Sequence, residues 1–74
     1  MKEVGFVSSN PVNVRILELL RKKEADIETI SKLTRIPLPT LRVAMKGLKE
    51  RGLVVEVEGK FRISEEGLEV LKRL

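Results

Sequence analysis

Residues 30–54, ISKLTRIPLPTLRVAMKGLKERGLV, constrain the fold more tightly than any other part of this chain. Pro37 and Pro39 stand between two apolar-periodic segments. Each lacks a backbone donor and holds the residue before it in extended conformations. A helix that includes Ile30 therefore ends near Thr34, residues 34–38 form a turn, and a new helix starts at Pro39, a residue suited to a first helical position. That helix stops at Gly52, placed to adopt the left-handed conformation common just past a helix end. An apolar run follows at once. The order is short helix, tight turn, amphipathic helix, hairpin.

Spacing decides which face of the amphipathic helix stays outward. With successive residues about 100° apart, Leu41, Ala44, Met45 and Leu48 share one arc and belong in the core. Pro39, Arg42, Val43, Lys46 and Glu50 fall on the opposite side, with Thr40, Gly47 and Lys49 at the margins. Gly47 costs a helix roughly 1 kcal/mol relative to Ala; it reads as a neutral occupant, with close backbone approach as the alternative.

The rest of the chain divides by the same rules. Asn10 is a good N-cap and Pro11 suits a first turn, predicting a helix over residues 11–23. Its stripe is Val12, Ile16, Leu19 and Leu20, flanked by Arg15, Glu18, Arg21 and Lys22. Asp26 caps the next helix, whose inward face is Ile27, Ile30 and Leu33, or else residues 25–27 contribute a short strand. Residues 53–57 and 60–64 read as a hairpin. A two-residue loop at Glu58-Gly59 would pair Val54 with Ile63 and Glu56 with Phe61, setting a charge beside the ring. A three-residue loop with Gly59 as a left-handed bulge pairs Leu53 with Ile63, Val55 with Phe61 and Glu56 with Lys60, leaving Lys60 and Arg62 outward. The second register is the expected one. Ser64 opens a last helix carrying Leu68, Leu71 and Leu74 at spacing three, with Val70 beside them. The expected fold is α+β and mainly helical: a three-helix core, two or three strands and a C-terminal helix, in one domain over residues 1–74.

Composition narrows the chemistry. A chain of 74 residues buries only about 60 to 65% of its unfolded surface, so a deep pocket has little room. It contains no Cys and no His, which argues against disulfides, thiol nucleophiles, soft-metal sites and the commonest general base. The pairs Glu56 with Glu58 and Glu65 with Glu66 read as solvated hairpin and cap charges. No enzymatic activity, metal, cofactor or small-molecule ligand is expected. No apolar stretch approaches the roughly 20 residues that span a bilayer, and residues 1–7 lack the apolar core of a signal peptide. A cytoplasmic protein with no membrane partner is expected. The 35% of charged residues, with Trp and Tyr absent, resembles hyperthermophile composition.

Charge distribution points to the partner. Residues 34–62 hold seven basic groups (Arg35, Arg42, Lys46, Lys49, Arg51, Lys60, Arg62) against Glu50, Glu56 and Glu58, a net +4 that equals the charge of the whole chain. The excess therefore lies on the turn, the outward helix and the hairpin. A phosphate backbone rewards such clustering because each neutralised phosphate releases counterions. Arg42 and Lys46, four apart on the outward face, are the candidates for guanine O6 and N7 in a major groove, with Val43 against a thymine methyl. Thr34, Arg35, Thr40 and Lys49 would hold phosphates, Pro39 shares the DNA-binding face, and Lys60 and Arg62 would contact backbone or minor groove. The expected partner is double-stranded DNA.

Three segments carry a family resemblance: residues 9–20 (SNPVNVRILELL), 36–42 (IPLPTLR) and 48–54 (LKERGLV). Together they resemble prokaryotic winged helix-turn-helix repressors of the ArsR-like type, and are similar to archaeal regulators with that core. The resemblance implies a recognition helix carrying Thr40, Arg42, Val43 and Lys46, and operator binding as a homodimer. Metal-sensing members use Cys and His, which this chain lacks, so that property is not carried over. Apolar residues near the chain ends also argue for a dimer: Phe6, Val7, Val14, Leu17, Val70 and Leu74, with Val4, exceed what one small core needs. The rival reading is a winged-helix protein-interaction module.

Overall fold

Asn10 and Pro11 open the central helix as their chemistry requires. The Asn10 side-chain oxygen accepts from the Val12 N–H at 3.0 Å, and Pro11 occupies the first turn, where no donor is needed. The computed structural model describes residues 2–74, and this helix is the second of its elements. The order is α1 (Lys2–Ser8), α2 (Pro11–Lys22), β1 (Ala25–Asp26), α3 (Ile27–Thr34), α4 (Leu38–Glu50), β2 (Val54–Val57), β3 (Lys60–Ile63) and α5 (Glu65–Lys72). The sheet is antiparallel with strand order β1-β3-β2, so residues 25 and 26 form a strand before α3 begins. Ile16, Leu17 and Leu20 of α2 are the middle of the core. They are joined by Ile30 from α3, by Leu41, Met45 and Leu48 from α4, and by Leu53, Val54, Phe61 and Val70.

The sequence reading contains no helix before Asn10, yet residues 2–8 form α1. It packs against α2 and α5. Val7 is fully buried, and Val4 and Phe6 pack on the core. This helix changes the account of the chain ends. Val7, Leu17 and Val70, expected at a dimer interface, have no exposed surface within a single copy. Phe6 and Val14 are half-buried against the same core, and Leu74 remains exposed. Three of the residues assigned to an interface are thus buried within one copy, where α1 folds over α2 and α5.

The turn between α3 and α4 is tied by side chains. Thr34 Oγ1 donates to the Ile30 carbonyl at 2.6 Å and accepts from the Ile36 N–H at 3.3 Å, while Ser31 Oγ donates to the Ile36 carbonyl at 2.7 Å. Arg35 ends α3 in the left-handed region, φ 61°, with its N–H on the Ser31 carbonyl. The turn swings Ile36 inward until it is 3% exposed. That residue takes the core place expected for Leu33, which lies 55% exposed on the flank of α3. α4 begins at Leu38, one residue earlier than expected, with Pro37 as its cap and Pro39 in its first turn, where the missing donor is harmless.

The hairpin takes the register set aside above. Val54 pairs with Ile63, Val55 with Arg62, Glu56 with Phe61 and Val57 with Lys60, around a two-residue loop. Glu58 and Gly59 both have positive φ, 51° and 81°, the type I′ geometry whose twist matches the flanking strands. Glu56 is not stranded beside the ring, because Lys49 reaches it from α4 at 2.8 Å. Val55 therefore faces outward with Arg62, and Val57 with Lys60.

Ser64 closes the hairpin base. Its hydroxyl donates to the Gly52 carbonyl at 2.6 Å and accepts from the Gly67 N–H at 3.0 Å, which starts α5. α5 buries Gly67 and Val70, whereas Leu68 and Leu74 of the spacing-three stripe are 36% and 48% exposed. Gly67 is the contact that fixes this rotation. A Cβ there would overlap the Leu53 carbonyl oxygen and approach Ile63 Cγ1 to 2.6 Å, so only glycine lets α5 lie this close.

Candidate nucleic-acid interface

α4 presents the face that spacing predicts. Leu41, Met45 and Leu48 are buried, and Pro39, Thr40, Arg42, Val43, Lys46 and Glu50 are exposed. Arg42 and Lys46 lie one turn apart on one ridge with Val43, 74% exposed, between them. β3 turns Lys60 and Arg62 to the solvent side of the sheet, the face away from Glu56 and Phe61. Among the described residues, Arg35, Arg42, Lys46, Lys60 and Arg62 make no salt bridge within the chain. Their charges are available to an outside partner.

Two of the expected phosphate contacts are committed elsewhere. Thr34 is 6% exposed, and its hydroxyl serves the α3–α4 turn rather than the surface. Lys49 is exposed, but its ammonium is paired with Glu56 of β2. Between α4 and the hairpin lies a shallow cleft of about 210 Å³, with Met45 and Phe61 beneath and Arg42, Lys46, Lys49 and Glu56 around it. Glu56 is the one carboxylate among those lining residues.

The back of α4 is held by α1. Arg51, just past the helix end, stacks its guanidinium over the Phe6 ring at 3.8 Å from the centroid, a cation–π contact. A Cβ on Gly47 would touch Phe6 Cζ at 3.4 Å. That is an ordinary contact, so Gly47 is a neutral occupant there, and Phe6 packs against the end of α4 within the chain. At the other side of the sheet, Asp26 pairs with Lys60 across β1 and β3 and caps α3. The Thr29 N–H and hydroxyl hold its carboxyl below its ordinary 3.8, with Lys60 and Lys32 lowering it further.

Sequence reasoning missed the ion pair of Glu56, the cation–π contact of Phe6, the turn bond of Ser31 and the bond of Ser64 to Gly52. Phe6 and Glu56 meet partners on other elements, and Ser64 bonds back across the hairpin to Gly52, contacts that no local period announces. Only the Ser31 bond, five residues ahead, lay within reach of a local turn pattern.

No protein-family profile matches the chain, and no curated protein matches it in sequence. Solved structures do match. The crystal structure of ligand-free NadR superposes with a TM-score of 0.80 at 23% identity, over 86% of this chain and 50% of that one. PigF with SAH gives a TM-score of 0.64 at 16% identity, over 74% of this chain and 16% of that one. This chain therefore spans half the length of the NadR chain and a smaller part of PigF. At such identities the likeness concerns the fold, and the five helices with a three-stranded antiparallel sheet form a winged helix.

Proposed function

We propose that this protein binds double-stranded DNA sequence-specifically as a transcription regulator of repressor-like type, with no catalytic role. The reading lays α4 in the major groove, where Arg42 and Lys46 address base edges and Val43 a thymine methyl. Lys60 and Arg62 on the hairpin follow the backbone or minor groove, and Arg35, Pro39 and Thr40 lie along the phosphates. The supporting observation is that Arg42 and Lys46 stand exposed on the outward face of α4 with no internal salt bridge among the described residues, with Lys60 and Arg62 exposed on the solvent side of the hairpin. The same reading has the protein act in the cytoplasm as a homodimer. Leu74 and the outer surfaces of α1 and α5 are the sites for pairing.

A second reading, a protein-interaction module, draws on the apolar exposure of Val43, 74% exposed on the outward face of α4. Fluorescence anisotropy on a mixed-sequence duplex separates the two. DNA binding gives an affinity that falls steeply with salt, by a slope near −0.9 per phosphate contact. Arg42→Ala/Lys46→Ala then weakens it roughly tenfold or more. An absence of binding at low salt favours the protein partner.

A further inference from the structure

The geometry points to the Lys49–Glu56 ion pair as an internal competitor for DNA phosphate, one that holds the affinity of the basic face for any duplex below what its cations would provide. This inference rests on the DNA-binding reading. Lys49 lies on α4 one turn beyond Lys46, and its ammonium meets Glu56 Oε1 at 2.8 Å. The pair sits at the cleft between α4 and the hairpin, beside Arg42 and Lys46. A duplex seated on Arg42 and Lys46 lies against this cleft, so its phosphates face the Glu56 carboxylate as well as the Lys49 ammonium.

Both members stay partly solvated, with side chains 53% and 35% exposed. An ion pair this exposed is weak enough for a phosphate to displace. Glu56 then remains as an unpaired negative charge beside the backbone, and the net gain from Lys49 is small. Glu56 thus subtracts mostly from sequence-independent binding, which is electrostatic, and leaves base reading by Arg42 and Lys46 a larger share of the total. Its placement is set by the hairpin register: the two-residue loop puts Glu56 on the Phe61 face toward α4, whereas a one-residue slip would turn it to the solvent side.

The test uses the intact chain, a labelled mixed-sequence duplex and a salt series. Glu56→Gln is expected to tighten binding about fivefold at low salt, the scale of a strong exposed ion pair. It should also steepen the salt slope by about 0.9, the signature of one added phosphate contact. Lys49→Ala alone should change affinity little, and Glu56→Gln placed on Lys49→Ala should add no slope. Glu58→Gln, which removes the same charge from the hairpin tip, should leave the slope unchanged. Circular dichroism melts confirm that each variant folds.

A Glu56→Gln protein that binds as the wild type does, or more weakly, overturns the competitor role while leaving DNA binding intact. An equal gain from Glu58→Gln, or a gain and slope change that persist undiminished without Lys49, also overturns it in favour of a general field effect. A wild-type protein that binds no duplex overturns both this inference and the reading beneath it.

Discussion

Gly67→Ala is expected to destabilise the protein although it improves local helix propensity. In an exposed helix the change would gain about 1 kcal/mol. Here the new Cβ would overlap the Leu53 carbonyl oxygen and stand 2.6 Å from Ile63 Cγ1. The first obstacle is backbone, so α5 must move off the hairpin base, and the Ser64 bonds to Gly52 and Gly67 move with it. Overpacking of this kind costs about 1–3 kcal/mol. Taking the upper end, because a main-chain atom is struck, and deducting the propensity gain leaves a loss of about 2 kcal/mol. For a domain of this size that is a fall in Tm of roughly 8–16 °C. Two other glycines calibrate the result. A Cβ on Gly5 would meet nothing within 4 Å, so Gly5→Ala should stabilise by about 0.5–1 kcal/mol. On Gly47 it would touch only the Phe6 ring tip, so Gly47→Ala should range from neutral to about 1 kcal/mol stabilising. Thermal and urea unfolding of the three variants decide the matter. Gly67→Ala melting with or above Gly5→Ala would refute the close approach of α5 to Leu53.

Thr34→Val keeps the shape of the side chain but leaves the buried Ile36 N–H without its acceptor, a loss of about 1–3 kcal/mol in urea unfolding; duplex affinity of the folded variant should match wild type. Glu58→Asn places a residue tolerant of left-handed backbone before Gly59, where φ is 51°, and should stabilise the hairpin by about 0.5–1 kcal/mol, read as a rise in Tm. Asp26 has its carboxyl pKa lowered on folding, so its ionisation adds stability above the ordinary 3.8 that is lost as pH falls through the lower folded value. The wild-type advantage over Asp26→Asn in Tm should therefore be constant near neutrality and shrink in acid below that range; an advantage unchanged at the acid end contradicts the assignment.

What was legible in the sequence is what depends on near neighbours. The caps at Asn10, Asp26 and Ser64 and the stop at Gly52 each act within a few residues, and the structure places them where expected. The outward face of α4 followed from a helical period that its packing obeys. The failures share a different cause. The hairpin register turned on whether Glu56 could be satisfied, and the group that satisfies it comes from α4. Leu33 lost its core place to Ile36 because the Ser31 and Thr34 hydroxyls draw the turn inward. Val7, Leu17 and Val70 were assigned to an interface because the seven residues of α1 offer no capping motif, and without that helix nothing in the sequence buries them within one copy.

The central claim is that α4 and the hairpin form the surface that meets duplex DNA. Its most direct measurement is a titration of a short duplex into ¹⁵N-labelled protein, followed amide by amide. The account predicts shifts concentrated at Thr40, Arg42, Val43 and Lys46 and at Lys60 and Arg62, with the exposed face of α2 around Arg15 and Arg21 silent. Shifts gathered on α2 or α5, or none at a salt concentration low enough to favour any basic surface, would contradict it.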